Sequence, residues 1–200
     1  MNKAEELLSQ LNDAQQEAVK QVEGPLMVIA GAGSGKTRVL TYRIAYMLTL
    51  GISPFQILAL TFTNKAAGEM KERIFKRVGD SNAKAVSMGT FHSIFYRIIR
   101  VEGYRLGYDH NVTVYDTDDC KSMIKSIVKE MQLDPKIYVA NYILNRISAA
   151  KSSLISEQEY AENPEIIEAD KRSGKPLIAD IFKRYNQRLK SANAMDFDDL

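Results

Sequence analysis

The chain has 200 residues, of which 45% are hydrophobic and 26% charged, and its formal net charge is +2. This composition is typical of a soluble globular protein that is long enough to bury a sizeable core. The single cysteine, Cys120, excludes an internal disulfide, and two histidines argue against a structural zinc site. The sequence has no signal peptide and no apolar run long enough for a membrane span. We therefore expect a cytoplasmic protein in which Cys120 is a small core residue.

The first predicted elements are a helix that Asn12 can cap and a buried strand at Leu26–Ala30. The strand leads into the segment Ala-Gly-Ala-Gly-Ser-Gly-Lys-Thr at positions 30–37, which has the spacing of a phosphate-binding loop. Its glycines allow positive φ angles and a close approach of backbone N–H groups to an anion. The loop residues that would surround the phosphates are Ala30, Gly31, Ala32, Gly33, Ser34, Gly35, Lys36 and Thr37.

Two side chains at the end of this loop would carry its chemistry. Lys36 supplies a positive charge for the β- and γ-phosphates, and the Thr37 hydroxyl is placed to coordinate Mg²⁺. A helix that begins near Thr37 would direct its N-terminal dipole at the same phosphates. Ala30 stands where the general pattern has glycine. The alternative interpretation is a glycine-rich turn that binds no ligand.

Strands and helices continue to alternate up to about residue 110. The predicted elements are a helix over Thr37–Leu50, a strand at Ile57–Leu60, a helix over Lys65–Val78, a strand at Ala85–Gly89 and a helix over Phe91–Val101. Repeated β-α units predict an α/β fold in which helices cover both faces of a parallel sheet. Ligands bind such sheets at the carboxyl ends of the strands, so the loop and the next two strand ends should share one edge.

Positive charge is concentrated in this part of the chain. Residues 36–107 hold 12 basic and 4 acidic side chains, whereas residues 1–35 and 108–200 each carry a net charge of −3. The excess is larger than one nucleotide requires, which suggests a second polyanion such as nucleic acid. The alternative is a set of solvated helix faces, because Lys71 and three other cations share one predicted helix.

Beyond residue 110 the pattern becomes helical. The predicted elements are a strand at Asn111–Tyr115, an amphipathic helix begun by Asp116 or Thr117, a helix over Tyr138–Ala149, loops and a short helix over residues 151–175, and a last helix from Leu177 to Leu189. Cys120 falls on the apolar face of the first of these helices. This part of the chain is predicted to be an all-helical module inserted into the α/β domain.

The last five residues, Asp196-Phe197-Asp198-Asp199-Leu200, include three carboxylates. A phosphate-loop NTPase needs an acidic residue at the end of another strand, where it holds Mg²⁺ and orients water. Asp198 and Asp199 do not fit this role, because the preceding Ser-Ala-Asn-Ala-Met does not have the pattern of a buried strand. The residues required for nucleotide hydrolysis are therefore predicted to be incomplete.

Five motifs together resemble the UvrD/Rep/PcrA helicases of superfamily 1, over essentially all 200 residues. They are Leu11–Val19, similar to the family's Q motif; Ala30–Thr37 with Arg38, similar to motif I, in which an initial alanine is usual; Thr61–Ala67 with Glu69 and Met70, similar to motif Ia; Thr90–Ser93, similar to motif Ib; and Asp196–Leu200, similar to the segment before motif II. Each short motif is weak alone, but five in the family's order and spacing are a specific signal.

The resemblance implies that two residues outside the loop bind ATP. Gln15 would hydrogen-bond the edge of the adenine, and Arg38 would stack its guanidinium on the adenine ring. Gln15 can also close a capping box with Asn12, and the two roles are compatible. For Arg38 the alternative is an exposed helix arginine.

The resemblance also implies DNA contacts after the two following strands. Phe62 would stack on an unpaired base and Asn64 would contact phosphate or sugar, while Thr90 and His92 would contact the DNA backbone. Such contacts do not depend on base sequence, as movement along any strand requires. The alternatives are a core position for Phe62, which continues the apolar alternation of its strand, and a simple helix-start position for His92.

In terms of the family, residues 1–110 would be the first part of a RecA-like motor domain (1A), residues 111–190 the helical subdomain 1B, and residues 191–200 the return into domain 1A before motif II. The implied activity of the full-length protein is ATP- and Mg²⁺-dependent 3′–5′ translocation on single-stranded DNA, with unwinding at junctions of single-stranded and duplex DNA. This activity would serve replication or repair in a bacterial, nucleoid-associated setting.

The 200 residues are then expected to be an N-terminal fragment that lacks ATPase activity and whose partners are the C-terminal helicase domains of the same protein. Two other classes of protein stay open. One is a small phosphate-loop kinase, which would leave the motifs around Phe62 and His92 unexplained. The other is a truncated, non-enzymatic DNA-binding relative.

Overall fold

The structure is a computed structural model that describes residues 2–200, except for the side chains of residues 80–82. The chain divides into two compact units, the first ending at Ile94 and the second beginning at Phe95. Most of the described residues are helical, and the strands form two short parallel sheets. Within residues 2–200, no helix is long and apolar enough to cross a lipid bilayer.

The first unit contains two of the three β-α repeats predicted from the sequence. Its elements are α1 (Lys3–Leu8), α2 (Asp13–Lys20), α3 (Lys36–Thr49), a 3₁₀ turn at Pro54–Gln56, β1 (Leu58–Thr61), α4 (Asn64–Val78), α5 (Asp80–Ala85), β2 (Ser87–Thr90) and the start of α6 (Phe91–Glu102). The predicted helices and strands over residues 37–101 are thus confirmed to within a few residues, and α1 and α5 are additional.

β1 and β2 pair in parallel, with Leu58 opposite Ser87 and Thr61 opposite Thr90. The parallel pairing confirms the predicted sheet type, and α4 lies in the crossover between the two strands. The core beside the sheet includes Val19 from α2, Tyr42 from α3 and Ile74 from α4, all nearly inaccessible to solvent. Because the two strands run in the same direction, their carboxyl ends lie side by side at one edge.

The prediction of a buried strand at Leu26–Ala30 is wrong. These residues form no strand, and the side chains of Met27 and Ile29 are 82% and 91% exposed. Leu26 and Val28 instead line a cavity of 330 Å³ together with residues of α2 and α3. An apolar run becomes a buried parallel strand only where other strands pair with it and helices cover it. Within residues 2–200, no strand pairs with this segment.

The second unit is mainly helical, as predicted. It contains the rest of α6, a 3₁₀ turn at Gly103–Leu106, β3 (Thr113–Val114), α7 (Thr117–Glu130), α8 (Ala140–Ser152), α9 (Glu157–Glu162), α10 (Pro164–Arg172), α11 (Ile178–Ser191) and β4 (Ala194–Met195). Residues 151–175 were expected to hold loops and one short helix, but they contain two helices. Ser156 caps α9 with a capping box, and the Asn163 side chain caps α10.

Helices α7, α8 and α11 supply most of the core of this unit. Its fully buried side chains include Ile124, Ile147 and Phe182. Cys120 is 3% exposed in the same cluster, which confirms the predicted core position. Burial raises the pKa of its thiol, so the side chain is predominantly uncharged at neutral pH.

A second correction concerns the stretch before Asp196, which was predicted not to be a strand. Ala194 and Met195 are both buried and form β4, which pairs in parallel with Thr113 and Val114 of β3. The strand is two residues long, too short to produce a recognisable alternation of apolar and polar residues. Asp196 therefore does follow a buried strand.

Candidate nucleotide site and nucleic-acid surface

The loop at residues 30–37 connects the exposed apolar segment to α3. Gly33 and Gly35 have positive φ angles of 79° and 88°, which glycine adopts without strain, whereas Gly31 does not. Gly35 is the N-cap of α3 and makes no side-chain cap hydrogen bond. The first N–H groups of α3 are therefore not capped by this residue, and they can donate to an anion in the loop.

Lys36 begins α3, one residue earlier than predicted, and is exposed. Its ammonium group donates to the carbonyl oxygens of Ala30 at 2.9 Å and Gly31 at 2.8 Å. The lysine is thus folded back over the loop, where its charge is opposed by carbonyl dipoles and, among the side chains that the structure describes, by no carboxylate. Thr37 is the next residue of the helix and is also exposed. Both side chains can reach a ligand held by the loop without displacing core residues.

Gln15 links α2 to this loop. Its Oε1 accepts from the N–H of Asn12 and its own N–H donates to Asn12 Oδ1, which confirms the predicted capping box. Its Nε2 donates to the carbonyl oxygen of Ser34 at 3.1 Å. A Cβ on Gly35 would lie 3.0 Å from the same Nε2, so the glycine allows this close approach. Capping and loop contact therefore coexist in one side chain.

Arg38 is exposed on the first turn of α3 and is fixed by two contacts. Its Nη2 donates to the carbonyl oxygen of Gln10 at 2.6 Å, and its guanidinium carbon lies 5.2 Å from the centroid of the Tyr42 ring. The arginine is thus held against the backbone of the segment between α1 and α2. Arg38 is exposed, as in the alternative interpretation, but these two contacts also hold its side chain in place.

An aromatic pair lies at the carboxyl ends of β1 and β2. Phe62 is 92% exposed, so the alternative of a core position for this side chain is wrong. Its ring centroid is 6.1 Å from that of Phe91, with the rings tilted by 42°. Phe91 was not singled out from the sequence, although it lies between Thr90 and His92. The parallel register, which sets Thr61 beside Thr90, is what brings the two rings together.

The polar residues predicted to contact DNA lie around this pair. Asn64 is exposed at the first position of α4, a helix capped by Thr63. Thr90 ends β2, and its hydroxyl accepts from the N–H of Ser93 at 3.3 Å. His92 is exposed in the first turn of α6. Thr90 therefore has a structural role in starting α6 in addition to its predicted one.

The acidic end of the chain lies in the second unit and is engaged in an ion cluster. The buried ammonium of Lys151 lies 2.8 Å from Asp196 Oδ2 and 2.7 Å from Asp199 Oδ1, and the Tyr185 hydroxyl donates to Asp196 Oδ2 at 2.9 Å. Burial alone would raise the pKa of Asp196, but the charge and hydrogen bond of Lys151 hold it below its usual range. Burial and the charge of Asp196 raise the pKa of Asp199.

These carboxylates are therefore partners of Lys151 and Tyr185. In the described part of the chain, no group of three or more histidine, cysteine, aspartate or glutamate side chains could hold a metal ion. Thr37, whose hydroxyl is predicted to coordinate Mg²⁺, is exposed at the second residue of α3.

Comparison with known proteins gives a consistent assignment. The sequence matches the UvrD/REP helicase N-terminal domain family over residues 11–200. It is 45% identical to the ATP-dependent DNA helicase PcrA of Bacillus subtilis over 199 residues, which are 98% of this chain and 26% of that protein. It is 44% identical to the protein of the same name from Staphylococcus aureus over 195 residues, 97% of this chain and 26% of that protein. The chain thus spans about a quarter of the length of these relatives. Because the family match covers nearly the whole sequence, the chain belongs to the UvrD/REP helicase N-terminal domain family.

Proposed function

We propose that this chain is the N-terminal part of an ATP-dependent 3′–5′ DNA helicase, with a RecA-like motor domain that binds ATP beside single-stranded DNA. The observation that carries the proposal is that one unit holds both a phosphate-type loop and an exposed aromatic pair. The pair lies where two parallel strands end, the edge at which open α/β sheets bind ligands. The names of the relatives support the same function.

The nucleotide would be held by residues 30–37 together with Gln15 and Arg38. The N–H groups of the loop and of the first turn of α3 would donate to phosphate oxygens, and Lys36 would exchange two carbonyl acceptors for phosphate. Gln15 and Arg38 would contact adenine, each from a position already fixed by hydrogen bonds. Thr37 would ligate Mg²⁺, which supplies charge neutralisation at the phosphates when it is bound.

DNA would bind at the ends of β1 and β2. A base can stack on Phe62 because 92% of that side chain is accessible, and Phe91 would support its ring. Asn64, Thr90 and His92 would contact phosphate or sugar around this stack. Aromatic stacking and phosphate contacts are tolerant of sequence, which suits a protein that moves along any strand.

Several parts of the proposal concern the longer protein. Residues 1–110 would form part of domain 1A, residues 111–190 subdomain 1B, and residues 191–200 the return into domain 1A. Single-stranded DNA and its junctions with duplex would be the substrates in the bacterial cytoplasm, and further helicase domains would complete the ATP site. The 200 residues alone are expected not to hydrolyse ATP, because Asp196 and Asp199 are paired with Lys151.

DNA binding is tested with a pair of phenylalanine variants in the same unit. Phe62→Ala should weaken binding of a fluorescent poly-dT oligonucleotide by about tenfold, since stacking contributes about 1–3 kcal/mol per base. Phe55→Ala is the matched control, because Phe55 is 82% exposed and lies before β1, away from its carboxyl end. Fluorescence anisotropy at fixed salt measures both. Equal effects of the two substitutions would contradict the proposed stacking site.

ATP binding is tested by Lys36→Ala, with Lys71→Ala on α4 as the control. Only the loop variant should lose binding of a fluorescent ATP analogue, by tenfold or more. A DNA-stimulated ATPase activity in the 200-residue chain that Lys36→Ala abolishes would refute the expected inactivity while supporting the nucleotide site. The direction of translocation is measured on the longer protein, as displacement of streptavidin from the 3′ or 5′ end of biotinylated single strands.

A further inference from the structure

A cavity of 380 Å³ in the first unit lies among α1, α3 and the last turns of α4, and it shares no residue with the loop at 30–37. It is lined by Lys3, Glu6, Leu7, Gln10, Tyr42, Arg73, Lys76 and Arg77. Four of these eight side chains are cations and one is a carboxylate. Arg77 is 13 residues beyond Asn64 on α4, about 20 Å along the helix axis. The cavity is therefore separate from the aromatic pair at the strand ends.

Arg77 is fixed in this cavity but has few acceptors. Its guanidinium carbon lies 4.2 Å from the centroid of the Tyr42 ring, and its Nη1 donates to the carbonyl oxygen of Arg73. Its Nε is buried and has no hydrogen-bond partner among the side chains and backbone that the structure describes. A buried donor without an acceptor costs free energy, so the Arg77 guanidinium keeps hydrogen-bonding capacity that an anion could satisfy if it approached this group from the cavity.

Tyr42 acts as the platform for this arrangement. Its ring is almost completely buried and carries Arg77 and the Arg38 guanidinium, the latter at 5.2 Å. Its hydroxyl donates to Gln10 Oε1 at 2.6 Å, which fixes the ring. Two cations held on one ring repel each other, so the local potential is positive and favours an anion.

The other cations of the cavity are only weakly neutralised. Lys76 pairs with Glu72 at 2.7 Å and Arg73 with Glu69 at 3.7 Å, both on the exposed surface of α4. The hydrogen bond and charge of Lys76 lower the pKa of Glu72. Exposed pairs of this kind contribute little and exchange readily with another anion. Glu6 is the one carboxylate among the lining residues and would oppose an anion there.

We propose that this cavity is a second anion site of the first unit and that it binds a phosphate group. Guanidinium and ammonium groups around a small cavity match the multiple oxygens of a phosphate, and Arg77 carries a planar guanidinium suited to two of them. The phosphate belongs either to a small phosphorylated molecule or to a nucleic-acid backbone. The site accounts for part of the positive charge of residues 36–107 that neither the loop nor the strand ends use.

The test uses the 200-residue chain carrying Lys36→Ala, so that the loop does not contribute. Pyrophosphate and a twelve-nucleotide poly-dT strand are titrated separately, and the Nε–Hε resonance of Arg77 is followed by ¹⁵N NMR. A saturable shift with pyrophosphate supports a small phosphorylated ligand. A shift with the oligonucleotide alone supports a nucleic-acid backbone, and a shift with neither overturns the proposal.

Charge variants then locate the site through the backbone amides of the last turn of α4. Arg77→Gln should weaken binding by at least tenfold. Lys76→Gln, tested separately, should weaken it by about threefold. Glu6→Gln should strengthen it by about threefold, a gain that damage to the fold would not produce. Lys71→Gln is the matched control on α4, outside the cavity, and should change binding by less than twofold. Equal losses in Lys71→Gln and Arg77→Gln would overturn the proposal.

Discussion

The charged and aromatic side chains of the candidate site in the first unit are exposed, whereas those of the ion cluster in the second unit are mostly buried. In the first unit, Phe62 is 92% exposed, and the hydrogen-bond partners of Lys36 among the described residues are two loop carbonyl oxygens. In the second, the Lys151 ammonium is buried between Asp196 and Asp199. Groups of the first kind can exchange their contacts for those of a ligand at low cost. Groups of the second kind are already satisfied, and their loss damages the fold.

A second buried pair in the second unit follows the same pattern. Asp170 is 1% exposed, accepts from the Tyr160 hydroxyl at 2.7 Å and pairs with Arg146 at 2.8 Å. Burial, together with the hydrogen bond and charge of Asp170, raises the pKa of the Tyr160 hydroxyl, which therefore stays protonated as a donor. Ionisable groups with perturbed pKa values often mark functional sites, but here these groups form ion pairs and hydrogen bonds within the fold. A perturbed group in an internal ion pair differs from one in a functional site because its partner of opposite charge is already in contact with it.

The largest effect expected from this comparison is that of Lys151→Met. The substitution leaves the buried Asp196 and the partly exposed Asp199 without their counter-ion, which should lower the free energy of unfolding by about 3–5 kcal/mol. Urea unfolding followed by far-UV circular dichroism measures this loss. Adding Asp196→Asn to Lys151→Met should restore part of it. A change below about 1 kcal/mol in the single variant would place Lys151 with the exposed surface pairs.

The loss of unfolding free energy at acidic pH should depend on Asp196 in particular. Its pKa is lower in the folded chain than in the unfolded one, so its contribution is present above about pH 4 and is lost as pH falls through the folded pKa. Asp199, whose pKa is raised, contributes with the opposite sign. Asp196→Asn should therefore flatten the loss of stability below about pH 4, whereas Asp199→Asn should not. The measurement is urea unfolding at a series of pH values, and matching slopes would contradict the assignment.

A smaller effect is expected at the loop of the first unit. Gly35→Ala places a Cβ at a φ of 88° and 3.0 Å from Gln15 Nε2, which should cost about 1–2 kcal/mol. Gly68→Ala is the control, because Gly68 lies inside α4 with open space around it and alanine favours the helix. The control should be stabilised by about 0.5–1 kcal/mol in the same unfolding experiment. A stable Gly35→Ala variant would show that the loop is not held in this conformation.

The elements that the sequence predicted well are those whose signals are local. Repeating apolar residues and caps such as Asn12 and Asp116 predicted α2, α3, α4 and α7, and the glycines of residues 30–37 predicted a turn before α3. These features depend on contacts within a few residues, so a single sequence contains them. The capping box between Asn12 and Gln15 is an example that the structure confirms in detail.

The features that the sequence did not predict depend on distant neighbours. The apolar run at residues 26–29 looked buried, but burial depends on what covers it. The pairing of Phe62 with Phe91 arises from the register of β1 and β2, which no local pattern reports. β4 was missed because two residues cannot show a period, and its burial depends on β3. The Lys151 cluster joins residues 45 and 48 positions apart for the same reason.

The smallest effect on stability is expected at Phe62, where the comparison between the units is most direct. Phe62→Ala removes a side chain that is 92% exposed, so the free energy of unfolding should change by less than about 0.5 kcal/mol. Phe182→Ala removes a fully buried ring that meets Tyr160 edge-on, which should cost about 3–5 kcal/mol. Urea unfolding of the two variants under the same conditions measures the contrast. A large loss of unfolding free energy in Phe62→Ala would mean that the exposed ring supports the fold, as the buried Phe182 ring does in the second unit. An unchanged stability with weakened DNA binding would separate the two uses of phenylalanine in one chain.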